Sequence, residues 1–533
     1  MQLQGARGLG QGRTVLMCVV LTVIVVLVYT LVALAVRPGL YSDSGWGLLG
    51  WEAGRGLPFN YAAYVDPDDI SADRIGFPTW WSPGQYFFPG ILERAGLDLG
   101  LALTIVTCIF SAAGLAGWFV LYRSFGFPAA TSAITVALVS LTRHFTLPFG
   151  IYNGGEVLLV GVAPWFLVLV WRLRQFGWWT IGPLLVGAAA MVFAKLSGLV
   201  ISGAAIGAAV LSPAGPWFSR DRLGRALVAF VTLALMGTLF YFLWFSRGET
   251  PVSPRSQVAW SAVASYVTYA VSATASAALS LGDLAAYVFL NPAHPVLASG
   301  LTIYWLLLPL ALATFAFVGW RLHREYADYL RFVLFLGLGV GLVLTAISTR
   351  GADIGSDERH LRIVSLLLLA GIVHAVVTAR SLWPRGLFVA VVAISSAYGL
   401  ASAATHAAAD RAHPLGVRGF RHLIADAATL DYIHSIDVPA PDRRSTLIYT
   451  TSPEIALEVR NVRVMSNHAD FETPEELERA RFHGRVPHLY VIVQKRLVEN
   501  GKAEKMLRSF VDYPSDKWRA TPVGDFVSFA ATP

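Results

Sequence analysis

The run Thr180-Ile-Gly-Pro-Leu-Leu-Val-Gly-Ala-Ala-Ala-Met-Val-Phe-Ala-Lys195-Leu-Ser-Gly-Leu-Val-Ile-Ser-Gly-Ala-Ala-Ile-Gly-Ala-Ala-Val-Leu211 decides the fold. It is too long for one ordinary membrane helix and a little short for two, and Lys195 interrupts it near the middle. Nine other apolar runs can cross about 30 Å of hydrocarbon. They lie near 15–36, 98–121, 128–143, 155–172, 226–245, 298–319, 331–349, 361–379 and 386–405. Short loops rich in arginine stay on the cytoplasmic side. Arg7, Arg13, Arg123, Arg172, Arg174, Arg220, Arg222, Arg225, Arg321, Arg324, Arg380 and Arg385 share one side only if 180–211 crosses twice, as a hairpin turning near Lys195. Eleven spans follow, with the N-terminus in the cytoplasm and the C-terminus outside.

Composition agrees with a polytopic α-helical membrane protein. Of 533 residues, 55% are hydrophobic and 14% charged, against about a quarter charged in soluble domains. Mean hydropathy is +0.57. The net charge of +7 is scattered over short connections and the tail, which argues against nucleic acid as a partner. Cys18 and Cys108 sit inside apolar runs, so neither a disulfide framework nor metal-ligand spacing is present. The run Val15 to Val36 is longer than the core of a signal peptide and lacks a small-residue cleavage site, so it reads as an uncleaved first span. Arginine far outnumbers lysine and no Asn-x-Ser/Thr sequon occurs, which fits the plasma membrane of a bacterium with a GC-rich genome.

Residues 1–405 form the membrane region, with an outer loop over 37–97. The segment Trp260 to Leu290 reads either as two further crossings or as an outer loop with interfacial helices; the parity is the same. Residues 406–533 have the composition of a small α/β domain on the outer face. Helical spacing of Phe420, Leu423, Ile424, Ala427 and Leu430 precedes strands at Thr446–Tyr449 and Val462–Met465. Thr473-Pro-Glu-Glu476 reads as a capped helix start, Leu489–Val493 as a buried strand, Lys502–Phe510 as a helix and Gly524-Asp525 as a hairpin turn. No Gly-rich strand-to-helix turn is present, which excludes the usual nucleotide-binding fingerprint.

The parity places several polar features on one face. Asp43 lies just past the first span in Tyr41-Ser-Asp-Ser-Gly-Trp-Gly47, where a carboxylate either N-caps a helix from Ser44 to Arg55 or does chemistry. In that helix Trp46, Leu49 and Trp51 would face lipid or protein, with Glu52 on the polar side. Lys195 is the sole lysine before Lys495 and reads either as a snorkelling cation or as a phosphate ligand. Glu358, Arg359 and His360 stand beside Asp353, Asp357 and Arg362, either as a neutralising cluster or with Arg359 gripping a phosphate in two-pronged fashion. His144 and Glu156 flank the loop before the 155–172 span. Asp66-Pro-Asp-Asp-Ile-Ser-Ala-Asp73 lacks the glycine and glutamate of a calcium loop and reads as a solvated turn.

Ser42-Asp-Ser44, Gly54-Arg-Gly-Leu-Pro-Phe59, Trp81-Ser-Pro-Gly-Gln-Tyr86, Lys195-Leu-Ser-Gly198 and Glu358-Arg-His-Leu361, in this order, resemble the motifs of the GT-C superfamily of polyprenyl-phosphate-sugar-dependent glycosyltransferases. The likeness is to its protein-mannosyltransferase and aminoarabinose-transferase-like bacterial branch. Many relatives have Asp-Glu where this chain has Asp43-Ser44, and His360 stands where a tyrosine is usual. The resemblance implies a sugar donor on a polyprenyl phosphate and an extracytoplasmic acceptor: lipid-linked glycan, glycolipid or protein. Asp43 would be the general base of an inverting transfer, and Lys195 and Arg359 the donor-phosphate ligands. Glu52, Gln85, Tyr86, His144, Glu156, Glu358 and His360 would be substrate-binding candidates. No cofactor is implied, and no ligand spacing indicates a divalent metal. Two other readings stay open: a transporter or flippase of a lipid-linked glycan, which should show internal repeats, and a non-catalytic envelope assembly protein.

Overall fold

The computed structural model describes all residues except 1, 67–68, 80, 217, 249–257, 291–299, 352–354, 440, 467–486 and 533, with backbone alone for 2–10. Helix α1 (Gln2–Val36) leads through strand β1 (Gly39–Leu40) into α2 (Ser42–Ala53), the hairpin β2 (Ala62–Val65) and β3 (Asp73–Gly76), and α3 (Gly84–Arg94). Next come α4 (Leu99–Ser124), α5 (Ala129–Ser140), α6 (Arg143–Thr146), β4 (Ile151–Tyr152) and α7 (Gly154–Arg172). Then follow α8 (Ile181–Ala194), α9 (Ser197–Leu211), α10 (Arg220–Leu243), α11 (Val263–Ser276) and α12 (Leu281–Phe289). The bundle ends with α13 (Gly300–Leu322), α14 (Ala327–Ser348), α15 (Arg362–Val377) and α16 (Leu382–Ala412).

The run 180–211 is two helices. Lys195 breaks it with extended backbone, φ −158° and ψ 140°. Gly198 makes the tight corner possible, because a Cβ there would lie 2.3 Å from the Met191 carbonyl oxygen. The arginine loops gather at one end of the bundle: Arg174 faces Asp328 at 4.0 Å, and Arg321 donates to the Thr378 carbonyl at 2.8 Å. Among the described residues nine helices are long and apolar enough to cross a membrane, joined by three shorter apolar ones. One of the nine, Trp260–Leu279, does not cross. Ala259 donates to the Thr349 carbonyl just past α14, at 2.8 Å, while Ala278 donates to Ser365 in the first turn of α15, at 2.7 Å. Both its ends therefore lie at the end opposite the arginines. With the three shorter helices, eleven candidate crossings remain among the described residues, the number the charge pattern requires.

At that same end a five-stranded sheet is built from β5 (Thr446–Thr450), β6 (Arg463–Ser466), β7 (His488–Gln494), β8 (Arg519–Val523) and β9 (Phe526–Ala531), in the order β6-β5-β7-β9-β8. The β6-β5-β7 strands run parallel and the β7-β9-β8 strands antiparallel, β8 and β9 joined through Gly524 and Asp525. The Thr473-Pro-Glu-Glu476 segment lies outside the described residues. The helix expected from Phe420 onward starts only at Ala427, where Asp426 caps it by accepting from the Thr429 amide at 2.8 Å. Residues before it form turns and bends instead, with Arg421 bridging Gly39 and Leu415, so the helical spacing of Phe420 and Leu423 was a coincidence.

The sheet does not stand apart from the loop over 37–97. Ile70 is fully buried in its core with Leu447, Tyr449 and Leu489. Arg463 grips the segment by donating to the Ile70 carbonyl at 2.7 Å and the Ala72 carbonyl at 2.6 Å, and by pairing with Asp73. The described residues 70–73 are thus a plug, not a solvated turn. Gly100 makes the second junction, since a Cβ there would lie 1.7 Å from the Gly419 carbonyl oxygen. Gly100→Ala must push two backbones apart and is expected to lower stability by about 1–3 kcal/mol or more, read from thermal unfolding in detergent.

Candidate functional site

Helix α2 carries Asp43 and is wedged in protein. Gly45 faces Pro453, Gly47 faces the Tyr86 ring and Gly50 faces the Tyr64 hydroxyl, with room for hydrogen only at Gly47, where a Cβ would come 2.6 Å from the ring. Trp46 stacks on Trp81 with centroids 6.4 Å apart and Trp51 packs against Phe87, so these aromatics face protein. The helix begins at Ser42 with Tyr41 as N-cap residue and no side-chain cap bond. Asp43 therefore sits in the first turn, where the helix dipole favours a carboxylate, and does not cap. It is half-buried, and among the described residues no hydrogen bond reaches it.

Ser44 is buried and accepts from the Gly154 amide at 3.1 Å, which ties α2 to the start of α7. Two glycines then bring α7 in close: a Cβ on Gly154 would lie 2.7 Å from the Cβ of Gln85. Glu156 follows in the first turn of α7. It pairs with Lys195 at the α8–α9 break, and the Arg359 Nε lies 3.8 Å from the same Oε1. Arg359 also pairs with Asp357 at 3.0 Å. The Tyr41 hydroxyl and Arg359 lie within electrostatic reach of each other, and Asp43 and Asp357 lie within reach of both. Gln85 is buried at the edge of this group, its Oε1 and the Lys195 stem both close to Gly155. His360 lies in the field of Lys195, Arg359 and Glu156, and its Nε2 has no hydrogen-bond partner among the described residues.

The other candidates fall elsewhere. Glu52 pairs with Arg55 at 2.8 Å and with Arg418 at 2.9 Å, a structural tie shared with Glu93. The Tyr86 hydroxyl donates to Asn60 beneath Gly47. His144 is buried, within 3.0 Å of Thr142 Oγ1, and burial and the Arg362 guanidinium push its imidazole well below the usual histidine range. Glu358 is buried and accepts from the Gly282 amide at 2.8 Å, which holds the start of α12. Among the described residues no three His, Cys, Asp or Glu side chains are grouped to hold a metal ion. Sequence reasoning missed Tyr41, though it adjoins Asp43, and treated Ser44 only as an absent acid.

Behind α2 lies α18 (Pro453–Glu458), preceded in the chain by α17 (Ala427–Ile436). Glu454 is buried there and accepts from the Leu423 amide at 3.0 Å, and Glu458 faces His422 and His434 at 3.0 and 3.1 Å. Burial outweighs the backbone donors and pushes the Glu454 carboxyl up to about 8. A carboxyl raised in the folded state favours folding most below its unfolded value, near 4.3, and that contribution is lost as pH rises to about 8. Stability of the α2–α18 contact is expected to fall over this window, and Glu454→Gln to flatten the fall. Thermal unfolding from pH 5 to 8 measures both.

No protein-family model matches the chain, and no curated protein matches its sequence. Solved structures do match. ArnT from Cupriavidus metallidurans in the apo state is 12% identical over 97% of this chain and 99% of its own, with a TM-score of 0.50. The same protein bound to undecaprenyl phosphate gives 13%, 97%, 99% and 0.51. The arabinofuranosyltransferase AftD from Mycobacteria is 12% identical over 96% of this chain and 41% of its own, with a TM-score of 0.47. At such identity the likeness concerns architecture, and it spans nearly the whole chain: the protein has the multi-span membrane fold of ArnT.

Proposed function

We propose that the chain is a membrane glycosyltransferase that moves a sugar from a polyprenyl phosphate to an acceptor hydroxyl. The observation that carries this reading is the convergence of Lys195, from the α8–α9 break, and Arg359, from the turn leading into α15, beside the half-buried Asp43 carboxylate. A structure of this fold, that of ArnT, is bound to undecaprenyl phosphate. The acceptor oxygen attacks the anomeric carbon while the bond from that carbon to the phosphate oxygen breaks, and configuration inverts. The hydroxyl proton passes to Asp43 and the electron pair leaves with the lipid phosphate, so polyprenyl phosphate is released. Lys195 and Arg359 neutralise the charge that grows on the leaving phosphate, where preorganised cations act most strongly. Gln85 and His360 flank the sugar. Since the arginine loops lie at the opposite end, the site faces away from the cytoplasm, and α2, α3 and the five-stranded sheet lie on that side. The setting is a bacterial plasma membrane, and the acceptor is an extracytoplasmic glycan, glycolipid or protein.

The test is transfer by purified protein in nanodiscs, given a polyprenyl-phosphate sugar and followed by release of polyprenyl phosphate. Lys195→Ala is expected to lower kcat/KM by about 10²–10³-fold, the range for losing one preorganised electrostatic group. Unchanged transfer in that variant would overturn the reading.

A further inference from the structure

Glu156 is the acidic member of the site that faces both of its cations. Its side chain is 9% exposed and that of Lys195 20%, and the two are paired, with Arg359 also facing Glu156 Oε1 at 3.8 Å. A carboxylate therefore stands where the phosphate of the proposed donor would be held. It cannot be incidental to the fold alone. The Ser44 bond to Gly154 and the bare Gly154 and Gly155 surfaces bring the first turn of α7 to this point. Uncompensated, two cations so close would repel each other and splay toward solvent. With Glu156 between them they remain in place when the site is empty.

The charges of donor and product give this arrangement a direction. A sugar-linked polyprenyl phosphate is a diester with one negative charge, whereas released polyprenyl phosphate is a monoester carrying about −1.5 to −2 at neutral pH. A fixed carboxylate next to the phosphate site therefore repels the product more than the substrate. Resting on the function proposed above, we infer that Glu156 is a positioning residue that holds Lys195 and Arg359 between turnovers and expels the spent lipid phosphate. Without it the cations would grip the dianion, and product release would limit turnover.

The experiment compares wild-type protein with Glu156→Gln and Glu156→Asp in nanodiscs, with undecaprenyl phosphate as the probe. Glu156→Gln keeps an amide oxygen to which Lys195 can donate, so the cations stay placed while the like charge is removed, and it should bind undecaprenyl phosphate about tenfold more tightly at the effective dielectric of a partly buried site. Its multiple-turnover rate should fall about tenfold with stronger product inhibition, while its single-turnover rate changes less than about threefold. Glu156→Asp keeps the charge and should restore most of the multiple-turnover rate. Equal or weaker undecaprenyl phosphate binding by Glu156→Gln, or single- and multiple-turnover rates falling together, would overturn the inference and leave the proposed function standing. Should Glu156→Gln fail to fold, undecaprenyl phosphate binding by Glu156→Asp decides: affinity near wild type supports the inference, and affinity raised tenfold with the carboxylate still present overturns it. Wild-type protein that binds no undecaprenyl phosphate would sink both.

Discussion

Asp43→Asn is expected to reduce turnover of sugar transfer by about 10²–10⁴-fold, the usual worth of a positioned general base, with undecaprenyl phosphate affinity within about threefold of wild type. The substitution keeps shape and removes the proton acceptor. It leaves Lys195 and Arg359 with their partners, so lipid binding has no reason to fail. It also costs little stability. The Asp43 carboxylate receives no hydrogen bond among the described residues and does not cap α2, so what is lost is one first-turn charge, worth about 0.3–1 kcal/mol. Kinetics and binding measured on the same preparation thus separate base from structural acid. Transfer at the wild-type rate would remove Asp43 from the mechanism and leave it as a dipole charge on α2.

The second large effect concerns Arg418, and it is one of stability. Its side chain is 6% exposed and donates to Glu93 at 2.9 and 2.5 Å and to Glu52 at 2.9 Å, which fastens the chain after α16 to both α2 and α3. Arg418→Ala leaves two carboxylates facing each other in a partly buried cleft. Breaking a buried pair by removing one partner costs about 3–5 kcal/mol. A marked fall in thermal midpoint is expected, with faster amide exchange in α2. Arg418→Lys should recover only part of the loss, because an ammonium cannot span Glu52 and Glu93 with the fixed fork of a guanidinium. Glu52→Gln should be mild and leave KM unchanged, since Glu93 keeps hold of Arg418. If Arg418→Ala melts within about 1 kcal/mol of wild type, which is the range of exposed pairs, the junction is held by packing at Gly100 and Ile70 instead.

The bundle was legible because hydrocarbon thickness and arginine placement are one-dimensional constraints, and the Lys195 break followed from requiring them together. Lys195, Arg359 and Glu156 could be assigned to one face for the same reason. Which of the polar candidates on that face actually meet could not be read in this way. Glu52 and Arg359 look alike in sequence, yet one is consumed by Arg418 and the other faces Glu156, because partners hundreds of residues away decide. Ile70 illustrates the opposite failure. An apolar residue among aspartates looked like an imperfect calcium loop, and only the distant strands that bury it give it meaning. Phe420 and Leu423 kept a helical period without forming a helix, since Phe420 is claimed by the core under α2 while Leu423 packs half-buried against Gly39.

The Ile70 plug also bears on how the molecule is made. Arg463 and the strands that bury Ile70 follow it by about 390 residues, so they emerge from the ribosome after nearly every membrane helix has been synthesised. Until then α2 has neither Pro453 to lean on nor Arg418 to anchor it. Lys195 and Glu156 can meet early in biogenesis, and α2 can dock early on Tyr86 and Gly154, but its contacts with Pro453 and Arg418 form late. A polypeptide lacking the residues from Arg418 onward would keep the Lys195–Glu156 pair but lose these two supports of the helix that carries Asp43.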